Sequence, residues 1–239
     1  MTVELTCMMG VMDETYSLRQ TVRTLQSGLS SIQFEIILVV SPLTSNDSIK
    51  TINELTTEFQ NIVITKEVHP GIGGAYMTAI EASSGRYLVL MSSDLETDPS
   101  LVPILLGEKK RLESVDIVCV SRWINKKSFI GYSSIQRMLN SIFQKIVRKV
   151  SRVSLTDFTY AFRIYDASIV KGLEFKELSH GFFLESLLTP ISRGCRVAEV
   201  PGTWVARSEG ERHIRARDYL TYLRVLFRFT KAKNSRGDA

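Results

Sequence analysis

Short apolar runs, rich in β-branched residues, alternate with amphipathic segments through the first half of the chain, and this alternation most constrains its fold. The runs cover residues 3–11, 35–40, 61–66 and 86–91, and helical character covers 14–25, 49–59 and 73–83 between them. Strands separated by helices of about ten residues are typical of a parallel sheet covered by helices on both faces. In such sheets ligands bind beyond the carboxyl ends of the strands. We therefore predict an α/β fold whose ligand site is formed by the loops after Val11, Val40, Lys66 and Met91.

The second half shows no linker-like stretch that would separate a further domain. Residues 116–120 predict a strand, 135–150 carry apolar side chains at helical spacing, 158–165 and 196–200 look extended, and 216–229 predict another helix. We predict one domain over 1–230, ending in an amphipathic helix at about 216–229, with a flexible tail at 231–239.

Composition limits the compartment and the partners. The chain of 239 residues has 30 Lys plus Arg against 25 Asp plus Glu, a net charge of +5, which suits an anionic partner without selecting one. Its three cysteines are scattered and show no metal-ligand spacing, which favours reduced thiols. Because no apolar run is long enough to span a bilayer, we expect a cytoplasmic protein, with a peripheral position on the inner face of the membrane as an option.

An acidic segment directly follows the apolar run at 86–91. It reads Ser92-Ser-Asp-Leu-Glu-Thr-Asp-Pro99. Unpaired carboxylates at the end of a buried strand are costly, and a divalent cation offsets that cost. Since carboxylate oxygens are the ligands that Mg²⁺ and Mn²⁺ prefer, we predict that Asp94 and Glu96 hold such an ion. The alternative is that Asp94 is a turn residue; Asp98, before Pro99, is better explained as a helix N-cap.

Two further signals indicate an anionic ligand. Pro70-Gly-Ile-Gly-Gly-Ala75 precedes the third helix, where glycines allow close approach and a helix start offers free N–H groups. Between residues 117 and 156 the chain has basic residues but no acidic ones: Arg122, Lys126, Lys127, Arg137, Lys145, Arg148, Lys149 and Arg152. A block of one sign indicates anionic partners, although the lysines alone are also explained as a solvated surface. We expect Arg122 and Arg137 to close over a phosphate.

In order and spacing, these segments resemble the family 2 glycosyltransferases of the GT-A fold, most closely the polyprenyl (dolichyl) phosphate mannose synthase branch. The resemblance covers roughly Val3 to Phe229. Gly10-Val-Met-Asp-Glu14 stands at the family's Pro-x-Tyr-Asn-Glu, Gly71-Ile-Gly-Gly-Ala75 at its Gly-Leu-Gly-x-Ala, and residues 92–99 at its Asp-x-Asp motif. Ser121-Arg-Trp123 is similar to the opening of the acceptor loop, Asp157-Phe-Thr-Tyr-Ala-Phe-Arg163 to Asp-x-Thr-Gly-x-Phe-Arg, and residues 199–201 and 207–213 to Glu-Val-Pro and Arg-x-x-Gly-x-Ser-Lys.

The resemblance implies an inverting transfer of a sugar from a nucleotide-diphosphate sugar to a polyprenyl-phosphate or glycan acceptor, assisted by Mg²⁺ or Mn²⁺. The donor would contact Gly10, Val11, Glu14, Ser41, Gly73, Ala75, Ser92 and Ser93. Phosphates of donor or acceptor would contact Arg122, Arg137, Asp157, Arg163, Arg212 and His213, with Arg122 and Arg163 counted as catalytic beside Asp94. If the acceptor is a sugar hydroxyl, a general base is required, and Glu185 is the candidate; its alternative is a carboxylate on a helix surface.

Departures from the family pattern leave other functions open. Ser92 replaces the first Asp of Asp-x-Asp, and Ser41-Pro42 replace the aspartates that usually hold base and ribose. They favour, as an alternative, a degenerate domain that binds nucleotide sugars or acts as a scaffold. A nucleotidyltransferase is a further alternative, although its glycine-rich basic loop is missing after the first strand. Nucleic acid is not expected as a partner, because the basic block lacks interleaved aromatic residues.

The helix at 216–229 has a broad apolar arc beside a stripe of arginines. One interpretation is that this arc packs on the sheet; the other is that part of it contacts a membrane surface or a membrane partner protein.

Overall fold

A central β-sheet organises the protein in its computed structural model, which describes residues 2–207, 209 and 216–237. The strands are β1 (Leu5–Val11), β2 (Phe34–Val40), β3 (Ile62–Lys66), β4 (Tyr87–Leu90), β5 (Ile117–Ser121), β6 (Phe129–Ile130), β7 (Arg163–Asp166), β8 (Val197–Pro201) and β9 (Trp204–Val205). Seven of them form one sheet in the order β3-β2-β1-β4-β7-β5-β8, and β6 pairs with β9 in a second, small sheet. Within the large sheet only β7 is antiparallel to its neighbours, β4 and β5.

Helices cover both faces of the large sheet. They are α1 (Tyr16–Gly28), α2 (Asn46–Glu58), α3 (Gly71–Ala82), α4 (Leu101–Arg111), α5 (Ser134–Ser151), α6 (Ala167–Lys171), α7 (Gly181–Ser192) and α8 (Ala216–Gly237). Along β1, Met8 belongs to one apolar cluster and its neighbours Cys7 and Met9 to another, as expected when successive side chains point to opposite faces. The first cluster includes residues of α3, α7 and α8, and the second those of α1, α2 and α4. The predicted α/β fold, with a mainly parallel sheet flanked by helices, is confirmed.

Two segments differ from the sequence-based prediction. The stretch at 158–165 was expected to be extended, but β7 begins only at Arg163. The preceding residues turn around Asp157, whose Oδ1 accepts hydrogen bonds from the N–H groups of Thr159 (3.3 Å) and Tyr160 (3.2 Å). At the other end, α8 begins at Ala216 and continues to Gly237, so the backbone of most of the expected tail is helical. Val225 and Leu226 are buried in the first apolar cluster, which ties α8 to the domain.

No helix in the described part of the chain combines the length and the apolar character needed to cross a membrane.

Candidate active site

The carboxyl ends of β1 and β4 bring the predicted donor-side residues together, because these strands are parallel neighbours. Gly10 and Val11 end β1, and the acidic segment follows β4 directly. The Ser93 hydroxyl donates to the Gly10 carbonyl at 3.2 Å. A Cβ at Gly10 would stand 3.5 Å from the Cβ of Ala75. Gly10, Val11, Ala75, Ser92 and Ser93 therefore lie near one edge of the sheet.

Glu14 and Ser41 complete the rim of this edge. The Glu14 carboxylate is buried and accepts a hydrogen bond of 2.7 Å from the N–H of Met12. Burial raises the pKa of Glu14, and the negative charge of Asp94 raises that pKa further. Ser41 is bonded within its own loop: its N–H donates to the Thr44 hydroxyl (2.9 Å), and its Oγ accepts from the N–H of Leu43 (3.1 Å).

A guanidinium group lies between the two predicted metal ligands. The Nη2 of Arg207 is 2.7 Å from Oδ2 of Asp94, and its Nε is 3.1 Å from Oε1 of Glu96. The second oxygen of Glu96 accepts from the indole N–H of Trp204 at 2.9 Å. Burial lowers the pKa of Arg207, but the charges of Asp94 and Glu96 outweigh this and raise it. The acidic pair is therefore oriented to hold a cation.

These residues fit a divalent metal ion that takes its remaining ligands from substrate and water. In the described residues no three or more His, Cys, Asp or Glu side chains converge as a metal site, so the protein would supply two carboxylates. The Ser92 hydroxyl, which donates to Oδ1 of Asp94, stands beside them. Mg²⁺ commonly binds through one or two carboxylates plus substrate phosphates and waters.

Glu209 adds a second contact between this C-terminal segment and the donor side. Its carboxylate accepts from the backbone N–H groups of Thr15 (3.0 Å) and Ser17 (2.8 Å) at the start of α1, and from both hydroxyls. A carboxylate is favoured at a helix N-terminus. Burial raises its pKa, but the hydrogen bonds from Ser17 and Thr15 outweigh it and lower the pKa of Glu209 to about 2. Sequence reasoning missed Arg207 and Glu209; their only signal was the likeness of 207–213 to a family segment.

Arg122 and Asp157, both predicted to contact phosphates, bind each other. Arg122 Nε and Nη2 donate to the two carboxylate oxygens of Asp157 at 2.7 and 2.9 Å. Both side chains are buried, and Arg122 Nη2 also donates to the Thr159 hydroxyl at 3.1 Å. Gln144 of α5 donates to the same hydroxyl at 2.8 Å. In this arrangement Asp157 takes the hydrogen bonds that were expected for a phosphate, because a buried guanidinium requires a partner.

The other predicted phosphate contacts differ in their access to a ligand. Arg163 is fully buried on β7 between β4 and β5, where its Nη2 donates to the Tyr160 carbonyl. Its Nε and Nη1 have no hydrogen-bond partner among the described residues. Arg137 is exposed on α5, with its Nη2 3.2 Å from the Lys126 carbonyl. Arg163 thus lies out of a ligand's reach in this arrangement, and Arg137 does not. Arg212 and His213 lie outside the described residues.

In the glycine-rich segment, the N–H groups of Gly73 and Gly74 are used within the protein. The N–H of Gly73 donates to the Leu178 carbonyl at 3.0 Å. A Cβ at Gly73 would come within 2.5 Å of the Glu177 carbonyl oxygen. The expected contact between Gly73 and the donor is therefore corrected: this glycine permits the loop before α7 to approach α3.

Glu185 is buried, so the alternative of a helix-surface carboxylate is wrong. Its Oε2 accepts from the backbone N–H groups of Lys176 (2.9 Å) and Glu177 (2.8 Å). Its Oε1 lies 3.4 Å from Nη2 of Arg228. These contacts join α7 to α8 and favour a structural role over that of a general base.

Comparison with known proteins identifies the family. The model of glycosyl transferase family 2 matches residues 9–173. The chain belongs to glycosyl transferase family 2. It is 23% identical over 225 residues to a dolichol-phosphate mannosyltransferase of Pyrococcus furiosus, covering 92% of this chain and 61% of that protein. It is 26% identical over 155 residues to an undecaprenyl-phosphate mannosyltransferase of Micrococcus luteus, covering 62% and 63%. This chain thus spans less than two thirds of the length of these relatives.

Solved structures show the same fold. Glucosyl-3-phosphoglycerate synthase from Mycobacterium tuberculosis, crystallised with Mn²⁺ and UDP-glucose, superposes with a TM-score of 0.73 at 17% identity, covering 96% of this chain and 79% of that one. The same enzyme with Mg²⁺ and UDP gives a TM-score of 0.68 at 18% identity, covering 94% and 79%. The predicted resemblance to family 2, with relatives named for transfer to polyprenyl phosphates, is confirmed.

Proposed function

We propose that this domain transfers a sugar from a nucleotide-diphosphate sugar to a polyprenyl phosphate, with inversion at the anomeric carbon. The observation that carries the proposal is the acidic pair Asp94 and Glu96. Their carboxylates bind one positive group, the guanidinium of Arg207, near the carboxyl end of β4. In family 2 relatives the named acceptors are dolichol phosphate and undecaprenyl phosphate. The sugar and the nucleotide are left open.

The divalent ion, Mg²⁺ or Mn²⁺, would be held by Asp94 and Glu96. When bound, such an ion neutralises charge that develops on the leaving diphosphate. The guanidinium of Arg207 occupies the space between the same carboxylates, so it must turn away from them when the ion binds. In that position its guanidinium would donate to the phosphate oxygens of the nucleotide sugar.

The surroundings of Glu185 support a phosphate acceptor rather than a glycan hydroxyl. A hydroxyl needs a base to take its proton, whereas a phosphate is already anionic. Glu185 was the candidate base, and its carboxylate is bound by two backbone N–H groups and lies near Arg228. A phosphate acceptor requires no replacement for it.

A binding module without transferase activity is the second candidate. The ion pair between Arg207 and the acidic residues favours it, because a carboxylate pair that already holds a guanidinium does not need a metal ion. Ser92, in place of a third acidic ligand, points the same way.

Membrane contact through α8 is part of the proposal in a narrower form. Leu220, Leu223 and Phe227 are exposed on this helix. Arg228, expected to meet lipid headgroups, is instead paired with Glu177, and Arg224 lies 3.7 Å from the same residue. The exposed apolar residues therefore remain for a membrane surface on the cytoplasmic side or a membrane partner protein.

Asp94→Asn tests the proposed function. Loss of one transition-state charge stabiliser typically costs about 100-fold or more in turnover, so transfer from a nucleotide sugar to a short-chain polyprenyl phosphate should nearly vanish with Mn²⁺ present. Circular dichroism should stay unchanged. Asp98→Asn is the matched control, since Asp98 only caps the following turn through the N–H of Ser100 at 2.9 Å. Equal turnover by both variants would remove Asp94 from the active site.

Sugar transfer by the wild-type protein would show that it is an enzyme and would rule out a binding module without activity. A thermal-shift response to nucleotide sugar and Mn²⁺ without any transfer would favour the module.

A further inference from the structure

Helix α5 buries one side and leaves a wide apolar side uncovered. Its buried residues are Gln144, Val147 and Ser151. Large apolar residues on the other side are exposed: Ile135 (67%), Met138 (56%), Leu139 (57%), Ile142 (48%) and Ile146 (44%). The apolar spacing of this segment predicted a helix with one apolar face, and the structure shows that much of this face is not used in the core.

The exposed apolar residues form one stripe bordered by positive charge. At about 100° per residue, the five side chains fall within an arc of roughly 100°. Lys149 projects within this arc and Lys145 at its edge, and both are exposed. The chain has no acidic residue between 117 and 156, so nothing within α5 offsets these charges. We call this stripe and its two lysines the α5 face.

The loop before α5 continues the same character. Ile124 and Ile130 are exposed apolar residues, and Lys126 and Lys127 are exposed between them. The Lys126 carbonyl accepts from Arg137, which joins this loop to the first turn of α5. Exposed apolar groups and unopposed basic groups therefore occur together on adjoining segments.

We propose that the α5 face docks on an anionic lipid bilayer surface, with its apolar stripe at the acyl boundary and its lysines on the headgroups. Amphipathic helices with an apolar stripe and basic flanks bind membranes in this way, and contiguous exposed apolar patches mark interaction sites. A bilayer fits better than a protein groove because basic residues clustered on an amphipathic helix are typical of contact with anionic lipid headgroups. This inference rests on the proposed function in one respect: a polyprenyl phosphate acceptor lies in a bilayer, so the domain must approach the bilayer surface.

The buried side of α5 connects the docking surface to the interior. Gln144 donates to the Thr159 hydroxyl and lies 3.3 Å from Oδ1 of Asp157, the partner of Arg122. Docking through α5 would thus hold the acceptor-side residues next to the lipid surface. The arginines of α8 contribute less, because Glu177 already engages Arg228.

Cosedimentation with vesicles tests the proposal on the full chain without donor or acceptor. Vesicles of phosphatidylcholine, alone or mixed with phosphatidylglycerol, are compared at low and physiological salt. We expect binding to the mixed vesicles that weakens as salt screens the lysines. Leu139→Asp/Ile142→Asp should weaken it at least about tenfold, since burial of one Leu-sized side chain exceeds the free energy of a tenfold change in affinity. Lys145→Glu/Lys149→Glu should abolish the preference for phosphatidylglycerol.

Matched controls isolate the α5 face. Leu43→Asp/Val68→Asp changes apolar residues elsewhere that are more exposed than Leu139 and Ile142, and Lys50→Glu/Lys176→Glu changes exposed lysines by the same charge. Both controls should bind as the wild type does, and thermal melts should show that every variant folds.

Three results would overturn the inference. One is wild-type vesicle binding by the α5 variants, and another is absence of binding by the wild type at low salt. The third is a wild-type dimer, in analytical ultracentrifugation, that Leu139→Asp/Ile142→Asp dissociates, because the face would then join two copies of the chain. Vesicle binding without sugar transfer would refute the proposed function alone.

Discussion

Replacing Arg207 by alanine should make the domain bind Mn²⁺ more tightly. The guanidinium lies 2.7 Å from Asp94 and 3.1 Å from Glu96, in the space that a metal ion would take. The Arg207 side chain is 21% exposed, so solvent screens these contacts in part. A hydrogen bond to a charged group contributes about 1.5–3 kcal/mol net. We take the lower end of that range for the contacts of Arg207 with Asp94 and Glu96. Their loss then corresponds to a dissociation constant for Mn²⁺ that is roughly tenfold lower.

Isothermal titration of Mn²⁺ into the nucleotide-free protein measures this effect directly. Arg111→Ala is the matched control, because Arg111 also forms an ion pair, with Glu108 at 2.6 Å, on the solvent-facing side of helix α4. Asp94→Asn should remove Mn²⁺ binding whether or not Arg207 is present. Turnover of Arg207→Ala should fall even as the ion binds more tightly, if Arg207 turns to the donor phosphates. An unchanged or higher dissociation constant for Arg207→Ala would refute the idea that guanidinium and metal share one position.

Three further predictions concern stability. Arg122→Ala should lower the free energy of unfolding by about 3–5 kcal/mol in urea titrations, because it leaves the buried charge of Asp157 without its partner; a loss of ligand affinity at unchanged stability would restore the phosphate-binding role. Glu209→Gln should lower the melting temperature at neutral pH. Because hydrogen bonds lower the folded pKa of Glu209 to about 2, its contribution is present above the ordinary value near 4.5 and is lost as pH falls toward 2, so the two melting curves should converge in acid. Gly73→Ala should cost about 1–3 kcal/mol, since its Cβ would meet a backbone carbonyl, whereas Gly107→Ala, with nothing within 4 Å, should not destabilise the fold.

Local patterns were enough to predict which residues gather at the sheet edge. The apolar run before Ser92 fixes the end of β4, and parallel pairing then brings Ser93, the neighbour of Asp94, into contact with Gly10. No local pattern predicts that Arg207, more than a hundred positions along the chain, would lie between Asp94 and Glu96. Long-range pairing of charges depends on the tertiary fold, and several basic residues were equally eligible by sequence.

Contacts between residues distant in sequence also explain why the roles predicted for Arg122 and Asp157 changed. Arg122 and Asp157 were both recognised as important, but sequence alone could not show that they satisfy each other across 35 positions. Periodicity identified α5 as amphipathic, yet an apolar stripe looks the same whether it meets a core or a membrane. Burial, which decides between these, is a property of the folded chain.

Completion of the central sheet depends on the antiparallel strand β7, which follows β4 and β5 in the chain and is therefore synthesised after them. Its position between β4 and β5 means that the outer edge of β4, complete at Leu90, has no hydrogen-bonding partner until Arg163–Asp166 has been synthesised. An open strand edge is a site for pairing with other chains. Fragments that stop between α5 and β7 should therefore aggregate, although they contain the whole acidic segment. Non-local pairing of this kind also slows folding, which lengthens the time for which this edge of β4 is open.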